Sequence, residues 1–331
     1  MKAFVVGRYK HGARAADVPD PVIGDHDVLV EIHAAGVNPL DSKTRDGEFK
    51  LVLPYRTPFI LGNDMAGVVV RVGARVRRFT PGDEVYARPA KHRIGTFAEL
   101  IAISEDDLAI KPARLTMAEA AAVPLVALTA WQALVERADL RPGQKVLIHA
   151  GSGGVGTVAI QLAKHLGATV ATTTSTANVD LVTSLGADIV VDYKKEDFET
   201  VLHDYDVVLD PLGGPTLEKS LRVLKPGGTI IGIAGPPDPE FARENGFHPA
   251  LRLAIAALSY RTRRKARRRR LTYSFLFMKA DGHQLSQITR LIDAGTIRPV
   301  VDRVYPFDDT NDALAYVESG RAKGKVVVSM V

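Results

Sequence analysis

The chain contains no cysteine. Disulfides, thiol nucleophiles and thiolate-ligated zinc are therefore excluded. The same absence agrees with a reducing compartment, and the expected location is cytoplasmic. Long hydrophobic runs are also missing. The first eleven residues, MKAFVVGRYKH, hold an apolar run too short for a secretory signal. The longest apolar stretch, residues 120–131, is interrupted by Pro124 and falls short of the roughly 20 residues that a spanning helix needs. No membrane partner is expected. The nine histidines are scattered, with no HExxH-like spacing, and no G-x-S-x-G elbow surrounds Ser152.

An excess of positive over negative charge is found in one place. The net charge is +5, yet residues 261–270 (RTRRKARRRR) hold eight Lys or Arg and no acid, so the rest of the chain is mildly acidic. That is not the footprint of a generally basic nucleic-acid binder. The run has no interleaved aromatics for base stacking, only Tyr260 and Tyr273 at its flanks. It reads as a solvated face of a loop or helix. Binding of RNA or an acidic partner through it is the alternative.

What the sequence does contain is enough material for two domains. It has 331 residues, 46% hydrophobic and 24% charged, the composition of an ordinary globular chain. Up to about residue 120 the texture is mostly β. Residues 28–33 (VLVEIH) alternate apolar and polar, and 65–72, 84–87 and 97–103 are further strand candidates separated by Gly and Pro. Thr116 and Glu119 are spaced as a capping box before an Ala-rich helix. From Lys145 onward strand and helix alternate: strands at 145–150, 168–173, 189–192, 207–210 and 229–233, and a helix at 155–166. Continuous apolar strands alternating with helices predict a parallel sheet covered on both faces. After about Leu271 one or two helices and a closing strand at 325–330 are expected.

Strand KVLIHA runs directly into Gly151-Ser152-Gly153-Gly154-Val155-Gly156 and then the helix. Gly151, Gly153 and Gly156 satisfy G-x-G-x-x-G in the strand–turn–helix context that gives the motif meaning. Such glycines allow a tight turn, close approach to a pyrophosphate, and close helix–strand packing, with the phosphates at a helix N-terminus. About 20 residues past the first glycine a ribose-binding acid is usual. Here the next strand ends in Thr172-Thr173-Thr174-Ser175-Thr176. Hydroxyls at Thr174 and Ser175 can donate to a 2′-phosphate that a carboxylate would repel, so NADPH is favoured over NADH. The alternative is that these hydroxyls cap the next helix.

The chain resembles the quinone and enone oxidoreductase branch of the medium-chain dehydrogenase/reductase superfamily over essentially its whole length. The resemblance is carried by Gly36-Val37-Asn38-Pro39-Leu40-Asp41, Leu61-Gly62-Asn63-Asp64-Met65-Ala66-Gly67 and Ala127-Leu128-Thr129-Ala130-Trp131. It continues through the glycine turn, Ser184-Leu185-Gly186-Ala187-Asp188, Lys225-Pro226-Gly227-Gly228 and Gly324-Lys325-Val326-Val327. It implies an α/β fold: a Rossmann-type doubly wound parallel sheet at residues 123–264, and a β-rich GroES-like substrate domain at 1–122 with 265–331. Zinc alcohol dehydrogenases of the superfamily carry a ligand Cys where this chain has Asn38, and Gly-His-Glu where it has Gly62-Asn63-Asp64. A zinc-free enzyme is therefore expected, and alcohol–aldehyde interconversion is the disfavoured enzyme alternative.

Without a metal, the protein must orient the cofactor and stabilise charge developing on an oxygen. The resemblance places Asn38 and Asp41 beside the nicotinamide. Lys43 and Tyr55 are neighbouring candidates for the oxygen or a proton relay. A turn signature that only fixes the backbone is the other reading of Asn38 and Asp41. Cofactor contacts are expected from Thr129, residues 151–156, Thr174, Ser175, Tyr193, Ile233, Ala234 and Gly235, and from Lys325 at the phosphates. The expected activity is NADPH-dependent reduction of quinones or α,β-unsaturated carbonyls by a homodimer. An NADPH-binding sensor is the non-enzymatic alternative.

Overall fold

The computed structural model describes residues 1–50 and 53–330. Its strands in chain order are β1 (Lys2–Val6), β2 (Arg14–Asp17), β3 (Asp27–Val37), β4 (Phe59–Ile60), β5 (Asp64–Val72), β6 (Glu84–Ala87), β7 (Leu100–Ser104), β8 (Leu108–Ile110), β9 (Lys145–Ile148), β10 (Thr169–Thr174), β11 (Ile189–Asp192), β12 (Tyr205–Asp210), β13 (Leu224–Gly232), β14 (Thr272–Phe275), β15 (Val301–Pro306) and β16 (Lys325–Ser329). They fold into two compact units, Met1–Leu128 with Lys279–Val331, and Thr129–Met278.

The first unit is built on β3. This strand pairs antiparallel with β5, β7 and β16 within a sheet of order β15-β16-β3-β5-β6-β8. A smaller sheet, β2-β1-β4, completes the unit. Flanked on both sides, β3 buries nearly its whole length, and Val28, Val30 and Ile32 pack with Met65, Val69, Val85, Ile101 and Ile103. The predicted strands at 28–33, 65–72 and 84–87 are present, β3 being longer than its alternating stretch because its later residues are apolar throughout. The tail returns to this unit through Tyr86, whose hydroxyl donates to the Leu285 carbonyl at 2.9 Å. The Thr116–Glu119 capping box forms, with Thr116 N–H on Glu119 Oε2 at 2.9 Å.

The register of β3 decides what meets at its end. Gly36 pairs with Asp64 on one side, and Val37 pairs with Val326 on the other. Asn38, Asp64 and Lys325 are thereby brought to one place from positions far apart in sequence. Gly36 permits this, because a Cβ there would lie 2.4 Å from the Ala121 carbonyl oxygen.

The second unit is a six-stranded sheet of order β11-β10-β9-β12-β13-β14, parallel throughout. Its core joins Leu147, Ala171, Val191, Val208 and Ile230 to helix residues Leu217 and Leu221. The chain begins at β9 and proceeds outward through β10 and β11. It then returns to the other side of β9 for β12, so the topology switches direction between β9 and β12. The boundaries differ from those expected: residues 123–128 belong to the first unit and 265–278 to the second. The second shift arises because β14, four residues long and starting at Thr272 just past the charged run, adds a sixth parallel strand beside β13. Such a short strand has little pattern of its own; β1 and β15 were not read from the sequence either.

Candidate active site

The first candidate centre is a buried polar cluster at the end of β3. Asn38 precedes the helix Pro39–Arg45, and its backbone N–H donates to Asp41 Oδ2 at 2.7 Å. That bond closes the helix start, as a turn signature would. The Asn38 side chain does something else: Nδ2 donates to Asp64 Oδ2 at 2.9 Å and to the Gly36 carbonyl at 3.3 Å. Asn63 Nδ2 donates to Asp41 Oδ1 at 2.7 Å. Asp64 Oδ1 accepts the Leu125 N–H at 2.7 Å. Lys325 Nζ donates to the Val37 carbonyl at 3.0 Å, to Asp64 Oδ2 at 3.1 Å and to Asn38 Oδ1.

Asn38, Asp41, Asn63, Asp64 and Lys325 are all buried. A charge removed from water must be paired and hydrogen-bonded, and here two carboxylates share one ammonium. Burial raises the Asp41 carboxyl to about 7, against the opposing pull of the Asn63 and Asn38 hydrogen bonds and the Lys325 charge. A buried carboxyl that titrates near neutrality marks a candidate functional group. Both amide hydrogens of Asn38 are engaged within the cluster, which leaves it the task of positioning Asp64 and Lys325.

Among the described residues Lys43 and Tyr55 make no hydrogen bond to this cluster, although the Asp41 charge is felt at Tyr55. Lys43 lies two positions from Asp41, and residues so spaced do not share a helix face. Its ammonium is half exposed and pairs with Glu48 at 3.8 Å. Tyr55 is half-buried against Phe59, and its hydroxyl donates to the Lys91 carbonyl. Burial pushes its pKa up to about 12, so it keeps its proton at neutral pH. Lys325 is buried within the first unit, with its three ammonium protons directed at three acceptors. There it neutralises Asp64. Sequence reading missed Arg88, whose side chain is fully buried, donates from Nη1 to the Pro89 carbonyl at 2.7 Å and leaves Nε without a partner. Nothing in the local sequence VYARPA sets that arginine apart.

The second centre lies in the parallel-sheet unit, where residues 149–156 join β9 to the helix Gly154–His165. The three motif glycines are needed for different reasons. A Cβ at Gly151 would meet Thr172 Oγ1 at 2.0 Å, and one at Gly156 would meet the Ala150 carbonyl oxygen at 2.4 Å. Those two serve packing. A Cβ at Gly153 has only the Ala150 oxygen near, at 3.3 Å, so the backbone there is open to an approaching group. The left-handed residue of the turn is Ala150, at φ 52°.

Around this turn the carboxyl ends of the parallel strands gather the predicted residues. Ser152 Oγ accepts from Thr174 Oγ1 and from Asn178 Nδ2, each at 3.1 Å. Asn178 Nδ2 also reaches Ser175 Oγ at 3.2 Å. Tyr193, after β11, is exposed and donates its N–H to the Thr174 carbonyl at 3.1 Å. Ile233 N–H bonds the Asp210 carbonyl at 3.0 Å, and Ala234 and Gly235 follow at the end of β13. Thr129 is buried at the start of this unit. Open parallel sheets bind ligands at this edge, at the switch in strand order.

Two residues at the same edge were not read from the sequence. Asp210 ends β12, fully buried. Its Oδ1 accepts the N–H groups of Leu212 and Gly213 at 2.8 and 3.0 Å, while Oδ2 has no partner. Burial raises its pKa. An acid closing a strand at the switch point was the available signal. His149 is buried between Thr173 Oγ1 at 3.0 Å and Ser220 Oγ at 2.9 Å, and burial lowers its pKa to about 3. It is a neutral clamp tying β9 to β10 and to the helix Gly214–Val223. Among the described residues no group of three His, Asp or Glu is placed to hold a metal.

A β-rich unit with a buried titratable cluster, joined in one chain to a parallel sheet carrying a glycine-rich turn, defines a two-unit dehydrogenase or reductase. Comparison with known proteins gives the same class. Residues 24–113 match the alcohol dehydrogenase GroES-like domain, and residues 185–328 match the zinc-binding dehydrogenase family. A 2-methylene-furan-3-one reductase of Solanum lycopersicum is 38% identical over 323 residues, covering 95% of this chain and 74% of that protein. An NADPH-dependent alkenal/one oxidoreductase of Arabidopsis thaliana is 37% identical, covering 93% and 73%. The quinone oxidoreductase structure from Coxiella burnetii superposes with a TM-score of 0.87 at 29% identity, covering 100% of this chain and 99% of that one. The chain belongs to the medium-chain dehydrogenase/reductase superfamily, with the quinone and alkenal/one oxidoreductases, and it is an oxidoreductase.

Proposed function

We propose that this oxidoreductase reduces quinones or α,β-unsaturated carbonyl compounds with NADPH and without zinc. The observation that carries the zinc-free reading is the cluster around Lys325. Where zinc alcohol dehydrogenases carry metal ligands, this chain has two amides, Asn38 and Asn63, each bonded to a carboxylate. An ammonium already sits on Asn38 and Asp64, and a second cation there would be repelled. The names of the Arabidopsis and Coxiella relatives support the substrate classes.

NADPH, when bound, supplies the hydride. The open backbone at Gly153 and the free N–H groups at the start of the helix Gly154–His165 suit its pyrophosphate. Hydroxyls of Thr174 and Ser175 stand where an acid would disfavour a 2′-phosphate; the neighbouring Asp192 is balanced by Lys195 at 3.4 Å. Tyr193 and Ile233–Ala234–Gly235 fit the remainder of the dinucleotide, with Thr129 toward the nicotinamide half. Asp41, poised near neutrality, holds a proton that the reduced product requires. Asn38 and Lys325 are positioning residues. A cytoplasmic homodimer completes the reading, and β14, an edge strand bonded on one side only among the described residues, supports self-pairing.

The test is consumption of NADPH and of NADH with an ortho-quinone, a short alkenal and a saturated aldehyde, before and after exhaustive chelation. Faster consumption of NADPH with the quinone or alkenal, unchanged by chelation, is expected. Turnover confined to the saturated aldehyde, or abolished by chelation, would overturn the proposal. NADPH binding with no turnover on any acceptor would favour the sensor reading.

A further inference from the structure

We infer that the consecutive helices Pro249–Leu258 and Tyr260–Arg268 form a docking surface for an anionic lipid bilayer. The first helix exposes Ala250, Leu253, Ala254, Ala257 and Leu258. Their spacing is i, i+3, i+4, i+7, i+8, the apolar stripe that normally faces a core. Here it faces outward, while Ile255 provides the buried contact. Leu253 is 74% exposed, Leu258 63% and Tyr260 55%.

The second helix continues the surface with charge. Arg261, Arg264, Lys265, Arg267 and Arg268 are exposed, as are Arg269 and Arg270 just beyond it. Lys265 pairs with Glu218 at 2.7 Å. None of the seven arginines has a carboxylate partner among the described residues. Arg263 instead donates to Ser259 Oγ and the Ala256 carbonyl. Like charges at i, i+3 and i+4, such as Arg264 with Arg267 and Arg268, repel and weaken a helix. An external anion relieves that repulsion.

The pairing of exposed leucines with unpaired arginines selects the occupant. A bilayer with acidic headgroups offers phosphates to the guanidinium groups and acyl chains to the leucines, as for interfacial amphipathic helices. RNA would use the arginines but leave the leucines in water, and Tyr260 is the one exposed ring of this surface. A twofold contact centred on this face would bring two arginine clusters into one interface, where like charges repel. No described helix is long and apolar enough to span a membrane; this face is suited to lie on one.

The test is co-sedimentation of the full chain with phosphatidylcholine vesicles, alone or mixed with phosphatidylglycerol, at low and high salt. Binding to the mixed vesicles only, weakened at high salt, is expected. Arg264→Gln/Arg267→Gln/Arg268→Gln and, separately, Leu253→Ser/Leu258→Ser should each weaken it at least tenfold. These side chains are exposed, so far-ultraviolet circular dichroism and NADPH titration of both variants should match the parent. No sedimentation with the mixed vesicles would overturn the inference. So would binding that needs the arginines but is indifferent to the leucines and is displaced by RNA, which would make the run a general polyanion site.

Discussion

Lys325 Nζ lies 3.1 Å from Asp64 Oδ2, with the two side chains 5% and 0% exposed. The pair joins the last strand of the chain to β5 through the end of β3. Removing one partner of a buried ion pair leaves the other charge uncompensated, which typically costs about 3–5 kcal/mol. Lys325→Met should therefore destabilise the protein by that order. Lys325→Met/Asp64→Asn should recover part of the loss, because the stranded charge is gone. Urea midpoints of the parent, the two single variants and the double variant measure this. Additive losses would show that the two charges do not depend on each other.

Asp41 gives a pH dependence of known sign. Burial holds its carboxyl near 7 in the folded protein, against roughly 4 in the unfolded chain. Between those values the folded state binds more protons, so this group's contribution to stability falls as pH rises from about 4 to about 7 and is flat above. Asp41→Asn removes the effect. The melting temperature of the variant relative to the parent should rise across that window. Parallel curves would place the Asp41 titration elsewhere.

His149 acts with the opposite sign. Burial depresses its pKa to about 3, while an unfolded imidazole titrates near 6.5. The unfolded state binds more protons in between. The contribution is complete above about 6.5 and is lost as pH falls toward about 3. His149→Gln should show a shallower acid limb in denaturant-measured stability from pH 6.5 downward. It should also be less stable at neutral pH, since the bonds to Thr173 and Ser220 are disturbed. An unchanged acid limb would mean that His149 is protonated in the fold.

The glycines of the turn should separate fold from binding. Gly156→Ala forces a contact with the Ala150 carbonyl and should lower thermal stability. Gly153→Ala meets little; its melting temperature should stay near that of the parent while NADPH affinity falls at least tenfold, about 1.4 kcal/mol. Fluorescence titration and thermal melts of both variants decide this. Unchanged affinity in Gly153→Ala would remove the turn from the cofactor site.

Much of this is legible in the sequence. The strand–turn–helix around residues 151–156 is local: six residues and their neighbours hold both the packing glycines and the open one, so short-range sequence suffices. Strands β3, β5 and β6 were visible for the same reason, as were the β–α alternation from Lys145 and the capping box at Thr116. Asn38 and Asp41 stood out through the Asn-Pro-x-Asp pattern shared with the family the chain resembles.

The tertiary structure decided the rest, because the deciding contacts are long-range. Strand register, which no single segment encodes, set Lys325 beside Asn38 and Asp64 and so made it a buried counter-charge. Helix phase turned Lys43 outward while Asp41 turned inward. Burial, a property of the assembled fold, moved Asp41 toward neutrality and kept His149 uncharged. The arginine run was plain in the sequence from the start. That the leucines preceding it face outward depended on which side of their helix packed on the neighbouring helices, the side of Ile255. Composition and local pattern thus determined the elements and the glycine turn, while packing determined which polar groups lost water and which found one another.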